Sequence, residues 1–196
     1  MTSLASPLDA PRLRALSADD VRRMVEAGIL DEDERVELVE GELIRMAAKS
    51  FAHDRIKNAL VTLLARATGP DILVVVESTL CLSATTLLEP DIVVHPTRVR
   101  SVSPEGYAAP AGPELLLAVE VAVSSLAYDR GRKACLYARH GVPEYWVIDA
   151  EARRAFVHAG PDGEGWGHVE EHGPDAVLRP LAPALSAFAV RLADLD

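Results

Sequence analysis

Cysteine is scarce in this chain: only Cys81 and Cys135 occur among 196 residues, and no C-x-x-C pair is present. That usage does not support a disulfide framework or a thiolate zinc site, and it reads as the pattern of a reducing, cytoplasmic protein. Long apolar runs are lacking as well. The longest, Leu115 to Val123, is interrupted by Glu120 and is far too short to cross a bilayer as a helix. The opening residues show no secretory n-region or h-region, so no membrane partner is expected. Lysine is rare, with Lys49, Lys57 and Lys133 set against 17 arginines. Three familiar catalytic signatures are missing: the G-x-x-x-x-G-K-[ST] phosphate loop, the G-x-S-x-G nucleophile elbow and the H-E-x-x-H zinc helix. No internal repeat or low-complexity segment occurs.

What is present has the balance of a soluble domain. Hydrophobic residues make up 49% and charged residues 26%, which argues against disorder and against a fibrous repeat. The length suits a flexible tail over residues 1–15 followed by one domain over 16–196. The formal charge of −10 argues against a protein that coats nucleic acid, because such binding rests on clustered Lys and Arg. The charge is uneven, however. Residues 26–42 hold eight acids and one base, and residues 160–175 hold five acids and no Lys or Arg. Leu43 to Pro70 instead carries Arg45, Lys49, Arg55, Lys57 and Arg66 against Asp54 alone. A local cleft with a basic wall is therefore allowed, with the acidic segments expected to face away from it.

Ser17-Ala18-Asp19-Asp20 reads as the cap of a short helix that stops near Gly28. The Asp31-Glu32-Asp33-Glu34 cluster is a solvated acidic turn, since Arg35 and Val36 stand where a calcium loop needs an oxygen ligand and a glycine. Val36 to Glu40 and Glu42 to Met46, divided by Gly41, alternate as a hairpin does. Ile56, Leu60, Leu63, Leu64 and Ala67 recur at helical spacing, with Ser50 or Asp54 at the start and Gly69-Pro70 as the stop. Ile72 to Val76, Leu80 to Leu82, Ile92 to Val94 and Leu115 to Val123 read as successive strands of one sheet. A helix from about Asp129 to His140 ends at Gly141, and Tyr145 to Ile148 follows as a strand. Strand, helix, strand at that spacing suggests a crossover and a mixed or parallel sheet. Ala155 to His158, a Gly-rich acidic loop, Ala176 to Leu178 and Leu185 to Val190 read as edge strands and a closing turn.

Acid placed inside apolar sequence is the feature that points to chemistry. Glu120 is the only charged residue from Leu115 to Val123, and a buried carboxylate needs a metal or cationic partner. The alternative is a strand-end residue that reaches solvent or an arginine. Asp91, after Pro90, is either a turn aspartate or a second acid of the same site. Two carboxylates from neighbouring strand ends can hold Mg²⁺ through oxygen ligands, and Lys133 would add positive charge where a phosphate develops negative charge. Against this stands an ordinary i,i+4 surface pair between Asp129 and Lys133. Glu37 could face the same cleft as an outer ligand and His53 as a phosphate contact or water orienter, or His53 is simply a polar residue in a helix's first turn. Tyr137, one turn after Lys133, is expected to pack over or hydrogen-bond the site. His168 and His172 lack the pattern of a metal site, and Trp146 reads as core.

Pro90-Asp91, Val119-Glu120-Val121, Asp129, Lys133, Tyr137 and the run Gly141-Val142-Pro143-Glu144-Tyr145-Trp146-Val147-Ile148-Asp149 resemble the Uma-two family of restriction endonucleases, within the PD-(D/E)XK nuclease superfamily. Glu37-Leu38-Val39-Glu40-Gly41-Glu42-Leu43, His53 and the stretch near Leu185 are similar to it too. The resemblance implies an α/β, restriction-endonuclease-like core, with a mixed central sheet flanked by helices and extra edge strands, and Asp91 and Glu120 as metal ligands. The superfamily's E-x-K lysine is replaced here by Ala122, and the resemblance implies that Lys133 of the next helix supplies it. Ser124-Ser125-Leu126-Ala127 stands where the family has Ser-Pro-Ser-Thr. The expected activity is a Mg²⁺- or Mn²⁺-dependent endonuclease acting on DNA, as a homodimer. The alternative is a nuclease-fold homo-oligomer that serves as a scaffold or binding module.

Overall fold

The computed structural model describes residues 13–31 and 33–195. Most of the expected tail, residues 1–12, lies outside the described residues, as does Glu32 of the acidic turn. Helix α1 (Ala18–Glu26) opens on a capping box in which Ser17 and Asp20 satisfy each other's backbone N–H groups. A hairpin follows, β1 (Val36–Val39) and β2 (Glu42–Arg45). Glu40 and Gly41 both have positive φ (53° and 87°), the conformation of a two-residue turn whose twist suits a hairpin. A Cβ on Gly41 would also strike Ala15 at 2.5 Å, so glycine is required there twice over.

Helix α2 (Phe51–Ala67) is capped by Ser50. Then come β3 (Ile72–Val76), β4 (Leu80–Ser83), β5 (Thr86–Leu88), β6 (Ile92–Pro96) and β7 (Leu117–Ala122). Residues 126–139 form one continuous helix, α3, made of an α turn (Leu126–Tyr128), a π turn (Asp129–Lys133) and an α segment (Ala134–Arg139). Its end is a Schellman motif: Val142 N–H bonds the Tyr137 carbonyl and Gly141 N–H that of Ala138, with Gly141 at φ 73°. The chain continues through β8 (Glu144–Asp149), β9 (Arg154–Asp162), β10 (Gly165–His172), β11 (Val177–Leu178) and β12 (Val190–Arg191).

The expected single run of strands is divided. A six-stranded sheet has the order β10-β9-β8-β7-β6-β3, while β4 joins β5, β1 and β2 in a four-stranded sheet, and β11 pairs with β12. All pairings are antiparallel except β7 with β8, which α3 connects as the crossover requires. The Gly-rich segment, expected to be a loop, turns at Gly163 and then forms β10 in register with β9. The closing segment is not a set of edge strands on the main sheet. Its Leu185, Phe188 and Leu192 are buried against Leu60 and Trp146 instead.

The six-stranded sheet is covered on both faces. Leu117, Val119 and Val121 of β7 meet Ile56, Leu60 and Leu64 of α2 on one side. Ala118 and Ala122 face Leu136 and Tyr137 of α3, together with Val39 and Leu88 of the smaller sheet, on the other. Alternation along β7 thus points Glu120 into the second layer, under α3. Each Leu or Ile buried in these layers contributes about 1.5–3 kcal/mol, which fixes the frame on which the polar residues sit.

Candidate active site

Four carboxylates and two lysines line a single cavity of about 280 Å³: Glu37, Asp91, Glu120 and Asp129 with Lys49 and Lys133. The parallel end of β7, the start of β6, the β1 strand and α3 each deliver one or two of them. Glu120 is buried, and its Oε1 accepts hydrogen bonds from Lys133 Nζ at 2.9 Å and Tyr137 Oη at 3.2 Å. Its partner is therefore a lysine inside the protein, not solvent or an arginine.

The local structure of α3 explains the convergence. Asp129, Lys133 and Tyr137 follow one another at intervals of four, a spacing that drifts around an ordinary 3.6-residue helix. The π turn adds a residue to the turn and offsets that drift, so all three are buried on the same side. Asp129 and Lys133 are consequently not a surface pair; Nζ lies 4.0 Å from Asp129 Oδ1 within the cavity lining. Ser125 Oγ donates to Asp129 Oδ2 at 2.5 Å, holding the carboxylate at the helix start. On the outer face Arg132 and Arg139 pair with Glu40 of the hairpin turn, and Arg132 with Glu42 of β2, tying α3 to the sheet that carries Glu37.

Asp91 immediately precedes β6, which pairs with β7 from Ile92 opposite Val119 onward. Asp91 Oδ2 accepts the Val121 N–H at 2.8 Å, so the side chain bonds the backbone of β7 just beyond the last paired residues. His53 sits in the first turn of α2 as expected, and from there its Nε2 lies 3.0 Å from both Asp91 oxygens. Its Nδ1 meets Asp54 at 3.1 Å. Lys49 Nζ is 3.1 Å from Asp91 Oδ1 and also pairs with Glu77. Glu37 is buried, its Oε1 both 2.9 Å from Lys133 Nζ and an acceptor for Glu89 N–H at 2.8 Å. The 26–42 acidic segment therefore does not face away as a whole, because Glu37 is part of the cavity wall. His168 and His172 lie on β10 beside Glu170, away from this cavity.

Burial pushes the Glu120 carboxyl well above the usual carboxylate range, and Asp129, Asp91 and Glu37 add to the effect while Lys133 opposes it. Burial works to lower Lys133, but Glu120, Glu37 and Asp129 outweigh it and hold the ammonium charged. Asp129 is likewise raised, by burial first. Asp91 goes the other way: burial is overcome by His53, the Val121 N–H and Lys49, which keep it ionised. Burial, with Glu37 adding, lifts the Tyr128 hydroxyl to about 12.

The cavity thus sets four carboxylates beside Lys49, Lys133, Arg35 and Arg45. Among the described residues, no three His, Cys, Asp or Glu side chains are grouped to hold a metal ion by themselves. An open site suits Mg²⁺, which binds through one or two carboxylates and fills its remaining positions with water and substrate phosphate. Asp91 and Glu120 both line this cavity and are the carboxylates available to such an ion.

Sequence reasoning placed Lys49 only within a basic cleft wall, and it passed over Asp129 as a cavity residue, Ser125 and Tyr128. A signal for the lysines was available in their rarity. All three engage carboxylates in or beside this site, Lys57 through Glu77 and Asp54.

A solved structure from Anabaena variabilis, described as "a putative nuclease belonging to DUF820", is similar in fold, with a TM-score of 0.71 at 18% identity. The match covers 92% of this chain and 97% of that one. No curated protein matches the chain. The family model Uma2, described as "Putative restriction endonuclease", matches residues 19–192, a span that holds every cavity residue described above, and the chain belongs to that family.

Proposed function

We propose that the chain is a divalent-metal-dependent endonuclease that hydrolyses DNA phosphodiester bonds. The observation that carries this reading is the meeting of Asp91, Glu120 and Lys133, from three separate elements, in one cavity of about 280 Å³. Asp91 and Glu120 would hold Mg²⁺ or Mn²⁺, which when bound supplies charge to polarise the scissile phosphate and to acidify a water. Asp91 is kept ionised for that task by His53, Val121 N–H and Lys49. Lys133, held protonated by the surrounding acids, serves as a stabiliser of developing phosphate charge and not as a base. Glu37 and Tyr137 act through it and through Glu120, each bonding one member of the pair. In the reaction a water oxygen attacks phosphorus, one P–O ester bond breaks, and the leaving oxygen takes up a proton.

A homodimer is part of the same reading. Strand β3 is one of the two edges of the six-stranded sheet, the other being β10, and it leaves Leu73 43% exposed, a surface that pairing with a second copy would cover. The direct test is nicking of supercoiled plasmid with Mg²⁺ by the wild-type chain and by Asp91→Ala and Glu120→Ala. Loss of cleavage in both variants is expected; equal cleavage by all three would remove the site assignment.

A further inference from the structure

Three tyrosines surround the buried carboxylates, and two of them are satisfied. Tyr137 Oη donates to Glu120, and Tyr145 Oη donates to the Asp129 carbonyl at 3.1 Å. The third, Tyr128, is half-buried on the last residue of the α turn before Asp129, and it lines the cavity. Its hydroxyl is shielded from solvent and has no hydrogen-bond partner. Lys49 Nζ is the other buried atom of this kind among the described residues, but it has Glu77 and Asp91 as ionic partners. Among the described residues, the Tyr128 hydroxyl is therefore the buried side-chain atom left with neither a hydrogen bond nor an ionic partner. A buried hydroxyl left unbonded is costly, and a fold normally removes it by pairing it or by using phenylalanine.

We propose that the Tyr128 hydroxyl is a substrate-contacting group that donates a hydrogen bond to a non-bridging phosphate oxygen of the DNA strand in the cavity. The role rests on the nuclease reading above and adds a residue that it does not include. The chemistry is complementary, since a phosphate oxygen is an acceptor only and the phenol is a donor. A phenol that stays neutral through the physiological range keeps its proton for this purpose. No proton is transferred; the bond orients and partly neutralises the phosphate beside Lys133.

Tyr128→Phe removes one oxygen and tests this directly. If the donor is reserved for substrate, the variant unfolds in urea at the wild-type midpoint or above it, because an unpaired polar atom has been removed. Plasmid nicking with Mg²⁺ falls about 10- to 100-fold in kcat/KM, and a fluorescein-labelled DNA oligonucleotide binds more weakly in Ca²⁺. Loss of activity together with a lowered unfolding midpoint would assign the hydroxyl a structural bond and overturn the proposal. Wild-type cleavage matched by the variant overturns the proposal and leaves the nuclease reading standing. A wild-type chain that neither cuts nor binds DNA removes both. If the wild type binds without cutting, equal affinity of the variant overturns the proposal and weaker affinity supports it.

Discussion

Lys133 Nζ and Glu120 Oε1 lie 2.9 Å apart with both side chains almost fully buried, although 13 residues and a change of secondary structure separate them. Glu37 reaches the same ammonium at 2.9 Å from a different sheet. The lysine is thus the charge that three elements share. Replacing it with methionine leaves Glu37, Glu120 and Asp129 without their cation, and breaking a buried pair in this way costs about 3–5 kcal/mol. Urea unfolding of Lys133→Met at neutral pH should show a loss of that size, and an unchanged midpoint would mean that the cluster is not held by this charge.

Ser50 caps the helix that carries His53, accepting the His53 N–H at 3.2 Å. Ser50→Ala should cost about 1 kcal/mol of stability, the usual value for a lost cap. Because His53 is one of the groups holding Asp91, nicking should also fall, though less than in Asp91→Ala. Cleavage by Ser50→Ala as slow as by Asp91→Ala would show that the cap does more than fray one turn.

Glu144 belongs to the most distinctive sequence run of the chain yet lies outside the cavity. Its carboxylate accepts Trp146 Nε1–H and Leu181 N–H, both at 2.7 Å, pinning the closing segment to β8. Glu144→Ala leaves the buried Trp146 Nε1–H unpaired, at about 1–3 kcal/mol, and releases the part-buried Leu181 N–H. Thermal unfolding should register this loss while nicking at a temperature well below the transition stays near wild type. A selective loss of activity would instead place Glu144 in the site.

His158 is buried beside Tyr145 and Trp166, and burial lowers its pKa below 6.5 against the pull of the Tyr145 and Phe156 carbonyls. The unfolded chain then takes up a proton first as pH falls through about 6.5, so stability is present above that pH and drains away below it. His140 is lowered too, by burial and by Arg139, and acts in the same direction. Urea midpoints measured from pH 7.5 down to 5.5 should decline, and His158→Gln should decline less steeply. Equal slopes would contradict the assignment.

Elements governed by local chemistry were legible in the sequence. Ser50 and the apolar spacing of Ile56, Leu60 and Leu64 locate α2, and the β-branched run Ile72 to Val76 coincides with β3. Sheet membership was not legible, because it is decided by distant partners such as Leu38 opposite Leu87. The glycines at 163, 165 and 167 obscured β10, whose pairing with β9 comes from the hairpin turn and not from strand propensity. At the site, Glu120 and Asp91 announced themselves as acids in apolar surroundings. Asp129 and Tyr128 did not, since only the π turn in α3 rotates Asp129 inward, and an unpaired hydroxyl leaves no trace in composition.

The most direct test replaces Glu120 with glutamine, which keeps the shape and an acceptor oxygen for Lys133 and Tyr137 but removes the charge proposed to hold the metal. Folding should survive, with a smaller loss of stability than in Lys133→Met, because Glu37 still pairs with the Lys133 ammonium at 2.9 Å. Mg²⁺-dependent nicking of supercoiled plasmid by the same preparation should fall at least about 100-fold, in the range seen when one group that stabilises a transition state is lost. A folded Glu120→Gln chain that nicks plasmid at the wild-type rate would contradict the account.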